Sequence, residues 1–134
     1  MTLSTSKYGH LRYLVALADI VALGGATSGD ITLDTLPPGV ILHAARVKAL
    51  AAVAGGGITA ATAQIKLNST TLGSATSVFT VATDPANAIQ TGAAIGGTAD
   101  SNNTLKLAMT STTSNLNAAT TGQIEVTVTY SVLA

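Results

Sequence analysis

Six carboxylates and two histidines are the strongest acid–base and ligand groups in this 134-residue sequence, and it contains no cysteine. Without a thiol there is no disulfide, no thiolate ligand and no thiol nucleophile. His10 stands beside Tyr8 and Arg12, and His43 falls on the apolar register of an expected strand. Neither belongs to a His-x-His or His-x3-His pair, so a zinc site would have to recruit carboxylates as well. Asp30 and Asp34 lie four apart on one face of an expected strand, which reads as a solvated face and not as a shared proton or cation. Asp84 and Asp100 fall in a region of turn chemistry, where calcium held with backbone carbonyls stays open. The run Gly55, Gly56, Gly57 is followed by Ile58 and Thr59. A phosphate-binding loop needs a lysine and a hydroxyl there, at the start of a helix. No Gly-x-Ser-x-Gly elbow accompanies the many serines and threonines. Asn68-Ser69-Thr70 and Asn102-Asn103-Thr104 match the glycosylation pattern, which short polar loops also produce by chance. The expectation is a protein that is not an enzyme, with no catalytic residue, metal or cofactor.

Composition narrows the partners. Only 9% of residues are charged, six Lys and Arg against six Asp and Glu, where about 25% charged is usual. With no net charge and no basic cluster in sequence, neither nucleic acid nor an anionic membrane is an expected partner. Hydrophobic residues make up 47% but aromatics only 3%, so the core must be built from small and aliphatic side chains. A near-neutral surface favours association. Sugar-binding modules stack rings on exposed Trp or Tyr; this chain has no Trp and three Tyr, which counts against that role. Residues 13–23 are largely apolar, but Asp19 interrupts them. The reading is a soluble chain without a secretory signal or membrane span.

The positions of these residues depend on the strands that carry them. In residues 123–132 every even position is apolar and every odd one polar, the pattern of a half-buried strand with Ile124, Val126, Val128, Tyr130 and Val132 inward. Residues 104–110 repeat it through Leu105, Leu107 and Met109, and residues 59–67 through Ala61, Ala63, Ile65 and Leu67. Leu36-Pro37-Pro38-Gly39 is a turn. Residues 40–50 then alternate, with Ile41, His43, Ala45, Val47 and Ala49 on one face. Leu42, Ala44, Arg46 and Lys48 fall on the other. Arg46 and Lys48 share the solvent face of a strand, whereas on a helix they would diverge. With a second patterned strand directly after the glycines, Gly55, Gly56 and Gly57 are expected at the tip of a long hairpin. Strands near 11–18, 29–34, 40–50, 59–67, 76–82, 88–95, 104–110 and 123–132 give the fold class. It is all-β: a single-domain antiparallel β-sandwich of about eight short strands, of jelly-roll type.

The run ITLDTLPPGVILHAARVKALAAVAGGGITAATAQIKL, together with TGQIEVTVTYSVLA at the C-terminus, resembles small β-sandwich structural proteins of tailed bacteriophage virions. In those proteins a Leu-Pro-x-Gly turn leads into a strand with alternating basic residues, then a glycine-rich reversal and a second amphipathic strand. The family pattern has a larger aromatic ahead of the glycines, where this chain has Val53. The resemblance implies a virion component on the capsid surface, made in the bacterial host cytoplasm. It points first to a decoration or cement protein bound to the major capsid protein, often as a homotrimer. A tail, neck or fibre-associated protein is the alternative, and an adhesin-like or carbohydrate-binding module the alternative of another class. Residues 1–12 are expected to form an N-terminal arm ahead of a sandwich domain of residues 13–134. Lys7, Tyr8, His10 and Arg12 would be the arm's contacts with a neighbouring subunit or the capsid, and Arg46 and Lys48 further contacts on an exposed face.

Overall fold

A period of two in apolar and polar residues builds the strands of this protein; bulges, glycines and buried hydroxyls decide how they join. The computed structural model describes residues 7–68, 70–79, 89–90 and 103–132. In chain order the elements are β1 (Lys7–Ala16), α1 (Leu17–Val21), β2 (Ser28–Leu36), β3 (Val40–Ala54), β4 (Ala60–Leu67) and β5 (Thr70–Ser77). They continue with β6 (Ile89–Gln90), β7 (Asn103–Thr112), a turn of 3-10 helix (Leu116–Ala118) and β8 (Thr121–Val132). They form two antiparallel sheets, A in the order β1-β8-β3-β6 and B in the order β2-β7-β4-β5. The pairs nest, first strand with last, second with seventh, third with sixth and fourth with fifth. The expectation of an all-β antiparallel sandwich is met.

Between the sheets lies one aliphatic core. Strands β4, β7 and β8 supply Ile65, Leu105, Leu107, Ile124, Val126 and Val128, each 0% exposed, with Met109 at 1%, all at the positions their alternation predicts. Burying each large aliphatic stabilises by about 1.5–3 kcal/mol. Alanines 45, 49, 61 and 63 fill the facing positions of β3 and β4. Among the described residues three polar ones are also buried, Asn103, Ser111 and Ser131, and each has a partner, as burial demands. Asn68 Nδ2 donates to Asn103 Oδ1 at 3.1 Å, Ser111 Oγ donates to the Ser114 carbonyl at 2.7 Å, and Ser131 Oγ lies 2.6 Å from His43 Nε2. Asn68 and Asn103 thus use their carboxamides to join the end of β4 to the start of β7, where Asn68 Oδ1 also accepts from the Thr104 N–H.

Bulges correct the sequence reading in two strands. In β3 the register against β8 slips between Leu42 and Ala44. His43 is the extra residue and is exposed. Val40 and Leu42 are therefore buried, Leu42 at 1% exposure, and His43 does not lie on the apolar face. From Ala45 to Ala49 the expected alternation holds. In β2 a slip against β7 between Thr32 and Asp34 sets Asp34 opposite the inward-facing Leu105. Asp30 and Asp34 are thus on opposite faces of β2, not on one solvated face.

One end of the sandwich is closed by α1, the 3-10 turn and the glycine run. Asp19, which interrupts the apolar N-terminal run, accepts the Ala16 N–H at 3.0 Å and starts α1; Ile20 and Leu116 plug the end at 0% exposure. Gly55, Gly56 and Gly57 do lie in the reversal between β3 and β4, but those strands are in different sheets and are not paired with each other. The glycines are a crossover between sheets, not a hairpin tip. All three have positive φ, and the crossover lies against the β7–β8 connection. A Cβ on Gly55 would collide with Thr120, one on Gly56 with the Ala118 carbonyl, and one on Gly57 would sit 2.7 Å from Ser114 Oγ. Positive φ and close approach together require glycine here. Val53, just ahead, is 0% exposed.

At the N-terminus the strand begins earlier than expected. Residues 7–12, assigned to an arm, are the first part of β1 and pair with β8 from Lys7↔Val132 onward. Residues 1–6 lie outside the described residues, as do 80–88 and 91–102, which hold much of the strands expected near 76–82 and 88–95.

Candidate functional surface

Alternation fixes which side chains leave the core, and in sheet A it gathers two groups that are far apart in sequence. β1 turns Leu11, Tyr13 and Val15 inward and His10, Arg12 and Leu14 outward. β3 turns Ala44, Arg46 and Lys48 outward. Between them runs β8, with Glu125, Thr127 and Thr129 on the same side. The registers align these residues in rows: His10–Thr129–Ala44, Arg12–Thr127–Arg46 and Leu14–Glu125–Lys48. The outer face of sheet A thus carries two basic columns flanking a column of hydroxyls and one carboxylate. The small side chains of Ala44, Thr127 and Thr129 leave a shallow trough, walled by His10 and Arg46.

This face is also where charge separates. Arg12, Arg46 and Lys48 are half of the chain's six Lys and Arg, and among the described residues of this face they stand against one acid, Glu125. Glu125 accepts from Arg12 Nε at 2.7 Å, with the two side chains 59% and 22% exposed, an exposed pair worth about 0–1 kcal/mol. His10 Nδ1 lies 3.2 Å from Thr129 Oγ1. Arg46 and Lys48 have no ion-pair partner among the described residues. Leu14, half exposed, adds an apolar spot at the edge.

The outer face of sheet B differs. Lys66 and Lys106 stand directly opposite each other on β4 and β7, and Asp30 accepts from Lys66 Nζ at 3.0 Å. At the edge shared by β1 and β2, Tyr13 donates its hydroxyl to Asp34 Oδ2 at 2.8 Å, a hydrogen bond from one sheet to the other. Burial, the hydrogen bond to Asp34 and the charge of that carboxylate together hold the Tyr13 phenol well above its usual value.

Of the residues singled out from sequence, the structure brings His10, Arg12, Arg46 and Lys48 together on one face. Lys7 and Tyr8 belong to β1 by backbone pairing, and their side chains lie outside the described residues. Gly55, Gly56 and Gly57 are at the closed end, away from this face. Asp84 and Asp100, left open for calcium, lie outside the described residues; among those described, no three His or carboxylate groups cluster as a metal site would need. Sequence reasoning missed the role of Glu125, Thr127 and Thr129 as the face's centre column. Their odd positions in residues 123–132 placed them outward; what was lacking was the register that sets β8 between β1 and β3.

The fold has known counterparts. A chain of the acidic stable capsid structure of Helicobacter pylori bacteriophage KHP30 superposes with a TM-score of 0.56 at 12% identity, over 99% of this chain and 92% of that one. A chain of the cyanophage Pam1 capsid asymmetric unit superposes with a TM-score of 0.53 at 21% identity, over 95% of this chain and 84% of that one. The chain therefore has the β-sandwich fold of proteins found in phage capsid structures, as the sequence resemblance implied. No protein family profile and no curated protein sequence matches it.

Proposed function

We propose that this chain is a structural virion protein, and within that class a decoration or cement protein. It binds across neighbouring major capsid subunits and stabilises the shell, working as a homo-oligomer, in the first instance a trimer. The observation that carries this reading is the extent of the likeness to KHP30: the shared fold spans 99% of this chain and 92% of the chain from that capsid structure, so the likeness covers the whole sandwich and is not confined to one motif. The nested strand pairing, β1 with β8 through β4 with β5, is the order a jelly roll requires, and jelly rolls are common in viral capsid domains. The two counterparts named above come from capsid structures, which favours the shell over a tail, neck or fibre location.

The test is mass determination of the purified protein by light scattering, then titration onto empty capsids. A trimer that saturates lattice sites at hundreds of copies per particle is the expected result. A protein that ignores capsids yet co-purifies with tails at tens of copies or fewer moves the assignment to the tail.

A further inference from the structure

The outer face of sheet A has a shape and a charge that the proposed role does not by itself explain. Its trough is floored by Ala44, Thr127 and Thr129 and walled by His10 and Arg46, with Arg12 and Lys48 flanking it on β1 and β3. Glu125 partly satisfies Arg12, while Arg46 and Lys48 find no carboxylate within the described protein. The other described acids are occupied. Asp19 accepts the Ala16 N–H, Asp30 accepts from Lys66, and Asp34 accepts from Tyr13 and from the Thr35 N–H. None of them forms a patch that could complement the basic face of a second copy.

We propose that this face is a docking surface for a carboxylate-bearing segment of a different protein, which, if the virion reading holds, is an acidic stretch of the major capsid protein. Arg46 and Lys48 pair with its carboxylates, the threonine hydroxyls of β8 donate to them, and Leu14 covers an apolar residue at the rim. Carboxylate fits better than nucleic-acid phosphate. The described residues of the face carry three cations against one carboxylate, which is few for tracking a phosphate backbone. No described aromatic on it is available for stacking bases. Complementary charge of this kind sets orientation and partner choice more than raw affinity.

The experiment uses the full chain in three forms: wild type, the charge reversal Arg46→Glu with Lys48→Glu, and Lys106→Glu on the outer face of sheet B. Circular dichroism and a thermal melt establish that all three fold. Each is titrated onto empty capsids at low and high salt, and each is passed over immobilised polyglutamate and over single-stranded DNA. The expected outcome is capsid affinity lowered at least about tenfold by the double reversal and within about twofold of wild type for Lys106→Glu. Wild-type binding should weaken as salt rises, and polyglutamate should retain wild type but not the reversal. Capsid binding untouched by the reversal overturns the docking surface and leaves the virion reading standing. Polyglutamate binding through Arg46 and Lys48 without any capsid binding overturns the virion reading and supports the carboxylate chemistry. Retention on DNA but not polyglutamate, or on neither, overturns the proposal.

Discussion

Strands β7 and β3 both run through the middle of a sheet, yet they are built differently. β7 pairs with β4 without a single slip from Ala60↔Thr112 to Leu67↔Leu105, and it buries every second residue from Asn103 to Ser111. β3 slips against β8 at three places. A bulge adds one unpaired residue and re-aims the side chains beyond it. In β7, therefore, a side chain's face is set by its position number. In β3 it is set by the number of bulges that precede it. The regular strand does one thing, which is to fill the core. The bulged one buries Val40 and Leu42 at one end and Ala45, Val47 and Ala49 further on, and it still presents His43, Arg46 and Lys48 to solvent.

Truncations test that distinction with the largest effects. Leu107→Ala in β7 and Leu42→Ala in β3 are each expected to destabilise by about 2–5 kcal/mol, the usual range for emptying a buried leucine site. His43→Ala, which an unbroken alternation would make a core substitution, is expected to cost about 1–2 kcal/mol, since it empties no core site but leaves the buried Ser131 hydroxyl without its imidazole partner. Urea denaturation of the three variants reads these differences directly. A loss at His43 equal to that at Leu42 would mean the bulge does not exist in solution.

A second contrast lies between glycines that need only φ and glycines that also need space. Gly56 has φ of 62° and lies against the Ala118 backbone, so Gly56→Ala combines left-handed strain with a collision that only movement of the 3-10 turn relieves. About 2–3 kcal/mol is expected, split between strain and displacement. Gly24, after α1, has φ of 82° and nothing within 4 Å of a built Cβ, so Gly24→Ala should cost about 1–2 kcal/mol, the strain alone. Thermal melts of both variants sharpen the contrast. Equal losses would mean that the crossover is not held against the β7–β8 connection.

The same division between regular and bulged strands governs how much of the fold was legible in the sequence. In strands β4, β7 and β8 the inward face could be read residue by residue, although the strand ends lie one or two residues from those expected, because sustained alternation leaves one choice of face. The outward placement of Arg46 and Lys48 was legible for the same reason. The crossover was not. Strand, glycines, strand is the same local pattern whether the second strand pairs with the first or leaves for the other sheet, and only long-range pairing decides. Asp34 was misplaced because the bulge at Leu33 has no distinctive residue type to announce it. Residues 7–12 read as an arm because Lys7, His10 and Arg12 are polar, although a strand with one solvated face is expected to alternate in that way. The basic face itself needed the register of three strands, two of them at opposite ends of the chain.

The smallest effect expected is at the bond that bulge creates. Tyr13 on β1 and Asp34 on β2 meet across the edge where the two sheets face each other. Tyr13→Phe keeps the ring's packing and removes the hydroxyl, leaving Asp34 with the Thr35 N–H as its remaining described partner; about 1 kcal/mol should be lost near neutral pH. The pH dependence gives the same bond a second readout. Because the folded protein raises the Tyr13 pKa, with burial the largest cause and Asp34 next, the folded state binds that proton more tightly than the unfolded chain. The contribution is complete below the unfolded tyrosine value of about 10 and is lost as pH rises beyond it. Melting temperatures of wild type and Tyr13→Phe should therefore differ most at about pH 7–9 and converge above about pH 10. A difference that stays constant through about pH 11 would place the stabilisation in ring packing and remove the hydrogen bond as a latch between the sheets.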